Sequence, residues 1–189
     1  MARYRGPRKK YLKRFGLLPD TPPDFKQQMR RRKSDYGIRL EEKQRLKFIY
    51  GVLEKQFRRY VQEAMNSATN SGEVLLALLE KRLDNVVYRL GFAKTRPQAR
   101  QLVVHGHVLV NGKVVDRPSY RVRPGEVISL QPRMQENAFV QESLKKQDPS
   151  ALPAWLERQG SVGRVLRELA EGDLRDDVDT NLIIEFYSR

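Results

Sequence analysis

The chain has 189 residues, with 37 Lys or Arg against 23 Asp or Glu, giving a formal net charge of +14. A charge that large repels itself in the compact state, so the composition calls for a polyanionic partner, either nucleic acid or an anionic membrane. Without Cys there is no disulfide, thiolate nucleophile or Cys-based zinc site; no apolar run approaches the roughly 20 residues of a membrane-crossing helix, and none follows the basic start as a signal peptide would require.

The charge alternates along the chain: net +11 over Met1–Lys47, −1 over Phe48–Glu80, +8 over Lys81–Arg133 and −4 over Met134–Arg189. A membrane-surface helix gathers its cations opposite bulky apolar residues, whereas separated basic blocks suit an extended polyanion touched at several places. In the first block Arg3, Tyr4, Arg5, Arg8 and Lys9 stand with Tyr11 and Phe15, and Gly6-Pro7 breaks regular structure. Rings interleaved with guanidinium groups suit stacking on RNA bases; a merely solvated tail carries few rings. Leu17–Asp24 is turn-rich through Pro19, Pro22 and Pro23. Arg30, Arg31, Arg32 and Lys33 follow as a cluster without an acid, fit to contact several phosphates.

Leu40–Tyr50 is expected to be helical, with Leu40, Leu46, Phe48 and Ile49 apolar; Tyr36, Lys43 and Lys47 are candidate RNA contacts. A second helix, Leu53–Met65, repeats Leu53, Phe57, Tyr60, Val61 and Ala64 at helical spacing, which leaves Arg58 and Arg59 on its polar face. After the break Asn66–Gly72, one helix is predicted over Glu73–Leu90, with a broad stripe from Leu75 through Leu83 to Leu90 and Gly91 at its C′ position. Another begins with Thr95 as N-cap and Pro97 in its first turn and runs to Gly106, placing Arg96 and Arg100 on one face while Ala99, Leu102 and Val103 point inward. His107–Val110 and Lys113–Val115 flank Asn111-Gly112, a pair that supplies the two positive φ angles of a type I′ hairpin turn. A turn at Arg123–Gly125 precedes a strand, Glu126–Leu130. Helices are expected again at Gln135–Lys146 and Val162–Glu171, and the apolar tail Asn181–Arg189 reads as a final strand or short packed segment.

The expected recognition surface gathers Arg96, Arg100 and Gln101 with His105, His107, Asn111, Lys113, Tyr120 and Arg121, and Arg82 is added as a further contact. A guanidinium pairs bidentately with phosphate and stacks on bases, and RNA helices are read largely through backbone shape and 2′-hydroxyls. His105-x-His107 can present two imidazoles on one side, but no third ligand accompanies them, so RNA contact or packing is preferred over a metal. Arg82-Leu83-Asp84 resembles the catalytic Arg-Leu-Asp of pseudouridine synthases; inside a predicted amphipathic helix, Asp84 is instead expected to pair within the fold. Trp155, in an acidic segment, is expected to pack and not to stack on RNA.

The run RLDNVVYRLG followed by TRPQARQLVVHGHVLVNG, within Leu79–Leu130, closely resembles the S-four RNA-binding module. That module also occurs in pseudouridine synthases, a heat-shock RNA-binding protein and some tRNA synthetases. The flanks MARYRGPR, RRRKSDYGIRLEEKQRLKFIYGVLEKQFRRY and LIIEFYSR resemble the small-subunit ribosomal protein S-four family, of bacterial or organellar type, over most of the chain. The resemblance implies an α+β fold: a mainly helical lobe (35–78 with 134–189), an inserted S-four module of two helices packed on a small β-sheet (79–133), and an extended basic N-terminal arm (1–34). It implies a structural constituent of the small ribosomal subunit, not an enzyme. Such a protein is a primary rRNA binder that nucleates assembly at a helix junction in the five-prime domain and supports translational accuracy. The implied partners are small-subunit rRNA, proteins S-five and S-three (the latter near the messenger entry), and messenger RNA including its own, with no membrane and no cofactor. The implied location is the cytoplasmic ribosome of a bacterium or an organellar ribosome. Two departures from the family pattern stand out: Phe25–Met29 replaces a Pro-Gly-Gln-His-Gly stretch, and the cysteines that bind zinc in some members are absent, so no metal is expected. The alternative is an RNA-modifying enzyme or stand-alone RNA chaperone using the module as a handle, for which the chain has no length left to form a catalytic domain.

Overall fold

Ser34 shows how the first long helix begins: its hydroxyl accepts a hydrogen bond from Gly37 N at 3.2 Å, so the helix starts at Asp35 and not at Leu40 as the apolar spacing alone predicts. The computed structural model describes residues 8–15, 17, 34–146, 152–175 and 177–188. These fall into two compact units, one drawn from Met1–Gly72 and Asp176–Arg189, the other from Glu73–Arg175. No described helix is long and apolar enough to cross a membrane.

The first unit contains α1 (Arg8–Arg14), α2 (Asp35–Ile49), α3 (Glu54–Met65) and the last helix, α9 (Thr180–Tyr187). Leu46, Ile49, Phe57, Tyr60, Val61, Ala64 and Ile183 are buried, as the helical spacing of α3 requires. Of the two forms expected for the tail, it takes the short packed segment, as a helix and not a strand. Asp179 caps it by accepting from Asn181 N at 3.0 Å, and α9 lies against α2, with Arg39 Nε 2.7 Å from Glu185 Oε2. Basic residues 8–14 of the predicted arm are helical too, and the Tyr11 and Phe15 rings lie 5.5 and 5.9 Å from Phe48.

In the second unit the expected single helix over Glu73–Leu90 is two: α4 (Ser71–Glu80, whose first two residues precede the unit) and α5 (Leu83–Arg89). Arg82 between them is extended and forms a β-bridge with Arg121; Leu83 N donates to Tyr120 O at 2.8 Å, and Val122 N to Lys81 O at 2.9 Å. The apolar stripe survives this interruption, which is why spacing alone did not reveal it. Gly91, at φ +77°, ends α5 as predicted. Then comes α6 (Arg96–Val104), whose N-cap Thr95 accepts from Gln98 N at 3.4 Å.

Five antiparallel strands follow: β1 (Val108–Val110), β2 (Lys113–Val114), β3 (Val127–Leu130), β4 (Leu156–Gln159) and β5 (Val162–Val165), in the order β2-β1-β3-β5-β4. The Asn111-Gly112 turn has both φ angles positive, +48° and +78°. Between β3 and β4 the helix expected at Gln135–Lys146 is present as α8 (Ala138–Lys146), preceded by one further short helix, α7 (Pro132–Gln135). The helix expected over Val162–Glu171 is instead β5 and a short 3₁₀ turn, Glu171–Asp173. β5 pairs with β3, and the described residues between Met134 and Arg175 fall in the second compact unit. Leu83, Val86, Val87 and Leu90 of α5, Ala99 and Val103 of α6, and Val108, Ile128 and Leu130 of the sheet share one core, and Trp155 packs into it.

Candidate nucleic-acid interface

Two acids sit where the packing of α5 and α6 excludes water, and each gathers arginines. Glu80 is 1% exposed; its carboxylate accepts from Arg89 Nη2 at 2.7 Å, Arg89 Nε at 3.1 Å and Asn85 Nδ2 at 2.7 Å. Asp84, also buried, takes Arg82 as a fork (Nε to Oδ1 3.0 Å, Nη2 to Oδ2 2.7 Å), and Arg100 Nη1 lies 3.7 Å from its Oδ2. A buried carboxylate without such partners would cost several kcal/mol, roughly, which explains why the cations converge here. Arg96, opposite, donates from Nε to Asn85 Oδ1 at 2.8 Å and lies over the Tyr88 ring at 4.5 Å. Arg89, Arg96 and Arg100 are all half-buried, with guanidinium orientations set by the fold. Further along this side, Gln101 and His105 are exposed and His107 is half-buried, the two imidazoles 6.0 Å apart.

A second basic surface lies where the segment after the hairpin returns. Lys81, Arg117, Arg121 and Arg123 line a cleft of about 490 Å³ with Ser119, Tyr120 and a single acid, Glu168, which pairs with Lys81. Tyr120 is turned inward: its hydroxyl donates to Glu126 at 2.5 Å, and that bond, with burial, raises its pKa above the usual tyrosine value. Asn111 shapes the hairpin, its Oδ1 accepting from Val127 N at 2.9 Å, and Lys113 is exposed beside it.

Comparison with known proteins gives matches over both parts of the chain. A family model described as "S4 domain" matches residues 81–128, and one described as "Ribosomal protein S4/S9 N-terminal domain" matches residues 3–80. The chain is 50% identical to small ribosomal subunit protein uS4 of Persephonella marina and 46% identical to that of Aquifex aeolicus, each alignment covering all of both chains. That of Nostoc punctiforme is 46% identical over all of this chain and 99% of its own. The chain belongs to the uS4 family of small ribosomal subunit proteins. The boundary between the two uS4 family matches falls at the break between α4 and α5, while β4 and β5 lie beyond both.

Within this uS4 chain, two predicted contacts are corrected. Arg82 is 0% exposed and committed to Asp84, and Lys43 is 5% exposed, bonded to Glu54 Oε1 at 3.0 Å with its ammonium 4.4 Å from the Phe186 ring. Neither reaches a surface where RNA could lie. Lys47 also spends its charge inside the unit, 2.8 Å from the other Glu54 oxygen. Arg58 and Arg59 are exposed, as expected, and border a groove with Lys55, Gln62, Phe186 and Tyr187; Tyr36 is exposed with its ring 5.5 Å from Phe186. Lys9 is exposed on α1. Arg3, Tyr4, Arg5, Arg30, Arg31, Arg32, Lys33 and the segment Phe25–Met29 lie outside the described residues, as does the side chain of Arg8. Sequence reading missed Arg89, Arg117 and Arg123. The available signal for Arg89 was the pair of acids on an otherwise apolar stripe, since buried acids call for cations.

Proposed function

We propose that this chain holds small-subunit rRNA through the half-buried arginines of α5 and α6, with the cleft of Arg117, Arg121 and Arg123 and the exposed Arg58 and Arg59 as further phosphate contacts. Membership of the uS4 family makes the chain a structural protein of the small ribosomal subunit, in the cytoplasm of a bacterium, with rRNA and other ribosomal proteins as partners and no enzymatic role. The finer reading is that it binds early and fixes a helix junction in the five-prime domain. Binding only the folded junction lowers that state's free energy relative to its competitors. Assembly then proceeds from the fixed junction, which is also how such a protein would support translational accuracy. Proteins S-five and S-three are the neighbours this reading assigns, the acidic block from Met134 being better suited to protein than to phosphate.

The observation that carries the reading is the paired guanidiniums of Arg96 and Arg100, on one helix face and each anchored from beneath by a buried group. An arginine fixed before RNA arrives loses less freedom on binding, so its hydrogen bonds to phosphate contribute more to affinity. Replacing Arg96 and Arg100 together by Ala should weaken binding to a transcript of the five-prime domain by at least about tenfold, on the order of one charged hydrogen bond. It should also flatten the salt dependence by roughly one to two in log–log slope. Unchanged affinity in a variant with a native melting curve would remove this face from the interface.

A further inference from the structure

We infer that Asn85, which is itself too buried to touch RNA, is a positioning residue for Arg96: it fixes the direction in which that guanidinium is offered to the nucleic acid. The inference rests on the arginine face proposed above and names what sets its geometry. Asn85 is 2% exposed. Its Nδ2 donates twice, to the Glu80 main-chain oxygen at 3.0 Å and to Glu80 Oε2 at 2.7 Å. An amide nitrogen has two hydrogens, and both are thereby committed. The orientation of the amide follows without ambiguity, because turning it over would set its oxygen against two acceptors and its NH₂ against a guanidinium that only donates. Oδ1 must therefore face away from Glu80, and there it meets Arg96 Nε at 2.8 Å.

A second support of Arg96 comes from Tyr88, on α5 with Asn85, whose ring centroid lies 4.5 Å from the guanidinium carbon. A cation–π contact sets which face of the planar group is covered, and the Nε hydrogen bond sets its rotation in that plane. The two together leave one orientation. Behind Asn85, the carboxylate of Glu80 is itself held by the Arg89 fork at 2.7 and 3.1 Å. A chain of contacts thus runs Arg89–Glu80–Asn85–Arg96, from one half-buried arginine through two buried side chains to another. Polar chains of this kind specify geometry because every member is satisfied in only one arrangement.

A double-mutant cycle on the full-length chain, read as affinity for a five-prime-domain transcript, tests the inference. Arg96→Ala should raise Kd about tenfold and Asn85→Ala about fivefold, while Asn85→Ala added to Arg96→Ala should cost less than about twofold more. That non-additivity is the signature of action through Arg96; a general loosening of the module would persist in the Arg96→Ala background. Circular dichroism and a cooperative melt establish that each variant is folded. If Asn85→Ala is not, Asn85→Leu, which keeps the bulk of the side chain and removes the Oδ1 acceptor, enters the same cycle with the same two expectations. Wild-type affinity in a folded Asn85→Ala, or effects that simply add, would overturn the positioning role while a weakened Arg96→Ala left the arginine face standing. Full affinity in Arg96→Ala itself would overturn both.

Discussion

Glu54 opens α3 with three donors on one carboxylate: Lys43 at 3.0 Å, Lys47 at 2.8 Å and the Tyr187 hydroxyl at 2.7 Å. Burial pushes its pKa up, but the hydrogen bonds from Lys47, Tyr187 and Lys43 outweigh it and hold the group at about 2. A carboxylate with a depressed folded pKa contributes stability that is fully present above its unfolded value, 4.5, and is lost as pH falls toward 2. Acid unfolding followed by circular dichroism should therefore steepen between those values, and Glu54→Gln should remove that component. An identical acid limb in both proteins would contradict the assignment. The same site explains why Lys43 was misread. A lysine on a basic stretch looks like a phosphate contact, and nothing local reveals an acid eleven residues on and an aromatic pair from the end of the chain. Arg82 was misread differently, since its partner Asp84 is only two residues away and within reach only because Arg82 is extended. The surface placement of Arg58 and Arg59, and the shared face of Arg96 and Arg100, were legible because helical spacing alone sets them off from the apolar stripe.

Among elements, those with local chemistry were read correctly: the Thr95 cap, the Asn111-Gly112 turn and the C′ glycine at 91. The hairpin β4–β5 was not, because four-residue strands without strong alternation carry little signal and their pairing is decided far away, by Val127 against Arg164 and Ser129 against Val162. Gly163 marks how closely this hairpin approaches the helices. A Cβ built there would collide with the Leu90 side chain at the end of α5. Gly163→Ala should accordingly destabilise the chain by about 1–3 kcal/mol, the usual cost of overpacking, as a lowered midpoint in urea unfolding. A midpoint equal to wild type would mean that β5 does not close the core in the way described. The tail Asn181–Arg189 was equally ambiguous in sequence, since a short apolar run suits strand or helix; the cap from Asp179 and the lateral support of α2 decide for helix.

For the molecule as a whole, distribution of charge says more than its total. Two basic blocks alternate with neutral and acidic ones, and in the module's compact unit the cations concentrate on the α5–α6 face and in the cleft beside Arg121. A protein making about 6–10 phosphate contacts loses roughly 10³–10⁵ in affinity between about 50 and 200 mM salt, so binding to rRNA should be steeply salt-dependent. The most direct test of the central claim is sedimentation of a tagged copy of the chain through a density gradient of cell lysate. The chain should migrate with small ribosomal subunits at low salt, the Arg96→Ala, Arg100→Ala double variant being depleted from that fraction. Recovery of the wild-type chain only at the top of the gradient, under conditions where subunits are intact, would contradict it.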